Sequence, residues 1–208
     1  LLGNVTLGAA NDTYDGRNGV LQGELWLNDG DDIARGGAGD EQFFGGAGND
    51  MLTGGGGDDV ISGGSDIDLI DGGSGDDGLF GDSGNDVLRG GRGADSLFGG
   101  DGRDVMFGNE NADAFYFFTS TASAVGSARD VVRDFVRGLD VINLEQLIPG
   151  TFTFLGTGAF TGTDEEIRYV VTAGGSSVVQ IDVNADGVRD MEFLVAGVGT
   201  LAVSDFLV

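Results

Sequence analysis

GGAGNDMLT (45–53), GGGGDDVIS (54–62), GGSDIDLID (63–71), GGSGDDGLF (72–80), GDSGNDVLR (81–89): these consecutive nonapeptides decide how the chain folds. The frame extends outward in both directions without slipping. GGAGDEQFF (36–44) precedes it; GGRGADSLF (90–98), GGDGRDVMF (99–107) and GNENADAFY (108–116) follow it. LNDGDDIAR (27–35) is a worn unit in the same phase, and LGAANDTYD (7–15) resembles another. Between 7–15 and 27–35 lie eleven residues rather than nine, which reads as a looser coil with a two-residue insertion. Each unit carries glycine in its first four places, a carboxylate in its sixth and an apolar residue in its eighth.

Six turn residues followed by three strand residues cannot close a core alone. The eighth places are Phe43, Leu52, Ile61, Ile70, Leu79, Leu88, Leu97, Met106 and Phe115. One buried side chain per nine ordered residues recovers too little apolar surface to offset the backbone entropy, and glycine increases that cost. Two turns on opposite edges bring the chain back, so one coil is two units, 18 residues, and side chains stack at i and i+18. Asp32, Asp50, Asp68, Asp86 and Asp104 form one edge column; Glu41, Asp59, Asp77, Asp95 and Asp113 form the other.

Those columns need a cation. Glycine at places one, two and four permits positive φ and turns backbone carbonyls inward, at Gly36, Gly45, Gly54, Gly63, Gly72, Gly81, Gly90 and Gly99 among others. Carbonyl and carboxylate oxygens, with no nitrogen or sulfur, suit Ca2+ better than Mg2+. Four gaps in each column predict about eight ions, which would bring the net charge from −25 to about −9. Without metal the acids repel and the array is expected to be disordered. Interior pairs such as Asp68/Asp86 and Asp77/Asp95 should hold calcium best; Asp32 and Glu41 should hold it worst. Asp12 and Asp66 are weaker candidates: Asp66 either adds a ligand or merely tolerates a left-handed turn.

Composition narrows the remaining possibilities. The chain has 208 residues, no Cys, no His, no Lys, and ten Arg against 35 acids. No thiolate, His-ligated zinc or histidine general base is available. A nucleic-acid partner is excluded for want of clustered cations. No apolar run is long enough to span a membrane. The single proline, Pro149, implies turns built by glycine. The chain opens on Leu1 without a charged-then-apolar leader and reads as the C-terminal piece of something longer.

The in-phase nonapeptide closely resembles the RTX, or hemolysin-type, calcium-binding repeat. That resemblance implies an all-β parallel β-roll with calcium held between successive turns. Three regions are expected: 1–26, degenerate leading coils; 27–116, the calcium-binding roll; 117–208, a β-rich cap. In the last, FYFF (115–118), VINLEQL (141–147), TFTFL (151–155), IRYVV (167–171), SVVQIDV (177–183) and MEFLV (191–195) read as strands, with Gly174-Gly175 as a hairpin turn. RDVVRDFVRG (129–138) reads equally as short helix or strand.

Asp130-Val-Val-Arg-Asp134-Phe135-Val-Arg-Gly138-Leu-Asp140-Val-Ile142-Asn-Leu144 resembles a segment that follows such repeats in serralysin-type metalloproteases. Gln180 to Asp190 and the terminal Ser204-Asp205-Phe206-Leu207-Val208 are similar to the C-terminal region of that family. There, an acidic residue followed by apolar residues belongs to a type I secretion signal. The resemblance thus implies a secreted or cell-surface parent, with the secretion apparatus and an upstream domain as partners.

Two further features carry alternatives. Asp182, Asn184, Asp186 and Asp190 have the spacing that opens an EF-hand loop, but place twelve falls on Phe193; the competing reading is an Asp-Gly hairpin turn. Place nine of alternate units reads Phe44, Ser62, Phe80, Phe98, Tyr116, a stripe that either packs against other parts of the polypeptide or docks a protein or glycan. The segment is not expected to be catalytic. The function implied is a calcium-binding module that folds outside the cell and stabilises its upstream domain. The alternative is a structural or adhesive module of a surface protein, or of a secreted polysaccharide-modifying enzyme.

Overall fold

In a computed structural model, residues 3–19, 21, 23–118, 126, 128–147 and 152–208 are described; Pro149 and Thr151 fall outside them. The chain is a parallel β-roll built from two facing sheets. One orders the strands Val5–Thr6, Glu24–Asp29, Gln42–Ala47, Val60–Ser65, Gly78–Gly84, Ser96–Phe98, Ala114–Tyr116, Val141–Asn143 and Phe206–Leu207. The other orders Thr13–Asp15, Ile33–Arg35, Met51–Gly56, Leu69–Ser74, Val87–Arg92, Val105–Glu110, Val131–Val132 and Met191–Val195. Through these strands every pairing is parallel, with Phe43 beside Ile61 and Leu52 beside Ile70. The coil is therefore 18 residues, alternate units feeding alternate sheets.

Place eight builds the core. Phe43, Leu52, Ile61, Ile70, Leu79, Leu88, Leu97, Met106 and Phe115 are all fully buried, in two facing ladders. Adjacent rungs exclude water from one another, so apolar burial is gained only when coils stack. The two-residue insertion sits where the sequence places it: Tyr14 pairs with Ala34 across twenty residues.

Both sheets run past the repeats. Ile142 continues the ladder of Phe115, and Val132 that of Met106. Segment 129–138 thus contributes strand Val131–Val132 rather than a helix. The expected boundary at 26/27 falls inside strand Glu24–Asp29, and the region from 117 onward extends the roll before it caps it. The cap is a meander: Met191–Val195, Ser177–Asp182 and Glu166–Val171 are antiparallel neighbours, the latter two turning at Gly174-Gly175, and Thr153–Gly156 closes the edge. Phe117 stacks on Phe193 at 4.2 Å and ties cap to roll.

Candidate calcium columns

The place-six carboxylates line the two turn edges, each buried to 3% exposure or less. One oxygen of each aspartate is fixed by the preceding coil. The N–H of Asp32 donates to Asp50 Oδ1, Asp50 to Asp68, Asp68 to Asp86 and Asp86 to Asp104, all at 2.8 Å. On the other edge Glu41 donates to Asp59, Asp59 to Asp77, Asp77 to Asp95 and Asp95 to Asp113 at 2.7–3.0 Å. The second oxygen is different. Oδ2 of Asp32, Asp50, Asp59, Asp68, Asp77, Asp86, Asp95, Asp104 and Asp113 is buried and has no hydrogen-bond partner among the described residues. A buried carboxylate oxygen without a donor or cation is costly.

Place one shows what those oxygens face. A Cβ added at Gly45, Gly54, Gly72 or Gly81 would come within 3.0 Å of Oδ2 of the same unit's aspartate and of the place-one carbonyl one coil on. Gly63, Gly90 and Gly99 leave the same opening over Asp68, Asp95 and Asp104. At the first four glycines the opening is a cradle of carboxylate and carbonyl oxygen; at the other three it faces the carboxylate. Among the described residues no group of three or more His, Cys, Asp or Glu side chains is placed to hold a metal ion by itself, so any ion here must take part of its oxygen from the backbone. Hard oxygen donors, flexible in number, fit Ca2+.

One expectation about glycine is corrected here. Positive φ occurs at places two and four, as at Gly46 (115°) and Gly48 (122°), but not at the place-one glycines. Place one needs glycine for space, not for φ. Asp66 (φ 81°) and Asp82 (φ 68°) hold left-handed turns themselves. The Asp66 side chain is exposed, outside the columns; Asp82 accepts the Ser62 hydroxyl at 2.6 Å.

The N-terminal sites differ as the sequence implies. Glu41 reaches back so that Oε2 accepts the Gly37 N–H at 3.1 Å, consuming the oxygen that is free elsewhere, although Gly36 keeps its opening. Leu27 places a buried side chain at place one, where later units have only glycine. Asp12 heads its column, its N–H on Asp32 Oδ1 at 2.6 Å and its Oδ2 on the Gly8 N–H at 3.1 Å.

Burial dominates the electrostatics. Desolvation pushes Asp50, Asp77, Asp95 and Asp104 up to about 6, Asp59, Asp68 and Asp113 to about 7, and Asp86 to about 8. N–H donation from the preceding coil opposes this, and neighbouring acids add to it. Asp32 and Glu41 are raised for the same leading reason.

Three features escaped the sequence reading. Asp130 Oδ1 accepts the Asp104 N–H at 2.8 Å, and Asp140 Oδ1 the Asp113 N–H at 3.1 Å, so both columns continue beyond the nonapeptides. A second, outer ladder runs the other way at place five: Asp40 accepts the N–H of Asp58, Asp58 that of Asp76, and Asp76 that of Ala94. Its signal is visible in the recurrence of Asp or Asn at place five, at Asp31, Asp40, Asn49, Asp58, Asp76 and Asn85, with Ile67 as the exception in that run. Finally, arginines stand past the ends of the columns. Arg129 meets buried Glu192 at 2.7 Å and Arg137 meets buried Asp205 at 3.0 Å.

The 182–190 segment is a hairpin loop between antiparallel strands. Its acids serve the loop's own backbone: Asp182 accepts from Gly187 at 2.7 Å, Asp186 from Val188 at 2.8 Å and Asp190 from Val183 at 2.9 Å. Asn184 Nδ2 reaches Asp190 Oδ1 at 3.3 Å. The place-nine stripe is real and gains Trp26. Trp26 stacks on Phe44 at 4.1 Å, and Phe80, Phe98 and Tyr116 stack at 4.4 and 4.3 Å. Ser62 interrupts the row. Trp26 is exposed, and Phe44, Phe80, Phe98 and Tyr116 are half-buried.

The family described as RTX calcium-binding nonapeptide repeat (4 copies) matches residues 25–52, 53–88 and 80–115. That segment is an array of RTX calcium-binding repeats. No curated protein matches the chain. Among solved structures, the AlgE6R2 subunit of the Azotobacter vinelandii mannuronan C5-epimerase is 27% identical, with 77% of this chain and 89% of that one covered and a TM-score of 0.42. The AlgE6R3 subunit of the same epimerase is 20% identical, with 97% and 80% covered and a TM-score of 0.41.

Proposed function

We propose that this segment is the calcium-triggered folding unit of an exported protein. It leaves the cytosol unfolded through a type I secretion apparatus, binds Ca2+ outside the cell, and by folding stabilises the polypeptide upstream of it. The reading rests on one observation above all: the buried Oδ2 row that has no donor among the described residues. Closing the roll without a cation buries like charges or forces protons onto them; calcium removes that penalty and selects the folded state. Millimolar extracellular calcium suits such sites, and the low cytosolic level leaves them empty.

The terminal segment supports the order of events. Asp205 is buried against Arg137, and Phe206 is built into the sheet beside Ile142. A type I signal comprising Asp205, Phe206, Leu207 and Val208 is legible only before the roll closes. Among the described residues no helix is long and apolar enough to cross a membrane. No catalytic role is assigned to the segment.

Circular dichroism and Trp26 fluorescence against added Ca2+ test the proposal. A disordered chain in excess chelator, folding at about millimolar Ca2+ and poorly with Mg2+, is the expected result. The same β spectrum and the same melting temperature in chelator would overturn it. Export is tested separately, by fusing a passenger upstream and deleting residues 205–208. The half-exposed aromatic row supports a second reading, an adhesive surface module. Calcium-dependent self-association lost in Phe80→Ser with Phe98→Ser would favour it; a monomer at all concentrations would sink it.

A further inference from the structure

The repeats end at Tyr116, but the geometry that defines a site does not. Asp130 and Asp140 stand two residues before Val132 and Ile142, the relation that Asp104 and Asp113 have to Met106 and Phe115. Both are buried, at 1% and 4% exposure. Each takes the N–H of the last repeat aspartate in its column on Oδ1, as the earlier aspartate rungs do; Asp140 Oδ2 also accepts the Val136 N–H at 2.7 Å, so on that edge the oxygen open to a cation is Asp113 Oδ2. On the repeat side, Asp104 and Asp113 are 0% and 2% exposed, and their Oδ2 atoms have no hydrogen-bond partner among the described residues. The openings at Gly99 and Gly108 remain: a Cβ at either would strike those same oxygens.

The spacing hides the continuity. Asp104 to Asp130 is 26 residues, which breaks the nine-residue phase, and Asp113 to Asp140 is 27, which keeps the phase but not the 18-residue step; the spatial register is kept in both. Asp134 completes the last edge. Within the array the place-one N–H goes to a carbonyl one coil on, as Gly36 does to Thr53 at 2.7 Å. At the final unit Asp134 takes over, accepting Gly108 and Asn109 at 3.0 and 2.9 Å. It brings another anion to an edge that already holds Asp113 and Asp140.

We propose that the metal columns extend one coil past the nonapeptides, with a Ca2+ between Asp104 and Asp130 and another between Asp113 and Asp140. The inference rests on the calcium reading of the array and raises the capacity from about eight ions to about ten. It makes the region after the repeats a calcium-bound part of the roll. The extension stops there, because the following coil answers its buried acids with Arg129 and Arg137.

Calcium stoichiometry of the full chain, by native mass spectrometry with calorimetry, tests this in Asp130→Asn, Asp140→Asn and the double variant. Asparagine keeps the carbonyl that accepts the Asp104 or Asp113 N–H and removes the charge. The expected result is one ion fewer in each single variant and two fewer in the double, with the β spectrum of the roll retained. Unchanged stoichiometry and affinities in the double variant would overturn the inference while leaving the calcium array standing. A wild-type chain that binds no calcium would overturn both. Should a variant fail to fold, anomalous scattering from wild-type crystals grown in Ca2+ decides. Peaks beside Asp130 and Asp140 support the two sites, and peaks confined to the repeats exclude them.

Discussion

The backbone N–H of Asp68 donates to Asp86 Oδ1 at 2.8 Å, while Asp86 Oδ2, wholly buried, has no partner among the described residues. One atom of the carboxylate holds the coils in register and the other is left for a cation. The two roles are separable by substitution. Asp86→Asn keeps the rung and should raise the calcium midpoint of folding roughly tenfold; Asp86→Ala loses the rung too and should fare worse. Asp32→Asn, beside the side chain of Leu27, should shift the midpoint least. Trp26 fluorescence against calcium gives the ranking, and equal shifts at 32 and 86 would refute it.

Glycine at place one is a matter of space. Gly54→Ala drives a methyl into Asp59 Oδ2 and the Gly72 carbonyl, whereas Gly56→Ala meets chiefly the Ser74 hydroxyl at 3.1 Å. The first should remove one bound ion and weaken calcium-induced folding. The second should be nearly silent, since place three already accepts Ala38 and Ala47. Stoichiometry by native mass spectrometry separates them.

Acid should act in opposite senses on the two forms. In the metal-free roll, burial holds column aspartates at about 6 to about 8, as at Asp50 and Asp86, against about 4 in the unfolded chain. The folded state binds more protons across that window, so metal-free stability is present below about pH 4 and is lost as pH rises toward about 8. Calcium needs the ionised form, so its affinity should climb over the same window, with protons released on binding. Titrations at pH 5 and pH 8 in chelator and in calcium check both signs. A calcium midpoint indifferent to pH would contradict the burial.

Arg137 matters for a different reason. It pairs with Asp205, which is 1% exposed. Arg137→Met should leave that carboxylate without its cation and destabilise the cap by about 1–3 kcal/mol, even in saturating calcium. Chemical denaturation at fixed Ca2+ measures the loss.

Much of this was legible in nine-residue steps. Leu52, Ile70 and Leu88 recur at fixed phase, so their facing and their 18-residue stacking could be read directly. Asp130 could not, because it rejoins its sheet 26 residues after Asp104, out of phase; Asp140 keeps the phase, 27 residues after Asp113, but its unit FVRGLDVIN (135–143) lacks the opening glycines that mark a repeat. The cap shows the same limit: alternation marks Ser177–Asp182 and Met191–Val195 as strands, but nothing in alternation says that the first runs antiparallel and the second also joins the roll in parallel. The place-five ladder is harder to read, since Asp58 beside Asp59 looks like redundancy, yet the Asp58 carboxylate accepts the N–H of Asp76 and that of Asp59 the N–H of Glu41, in opposite directions along the stack.

Arg129 and Arg137 are cations the chain carries with it. Where they close the stack, no ion has to be captured from solution, so the final coil can be complete while the rest is still open. A one-dimensional stack is slow to start and quick to lengthen, because only the first coil forms without a neighbour. An end already neutralised supplies that neighbour. Folding is then expected to grow from the arginine-sealed end toward the N-terminus, each captured calcium preparing the surface for the next coil.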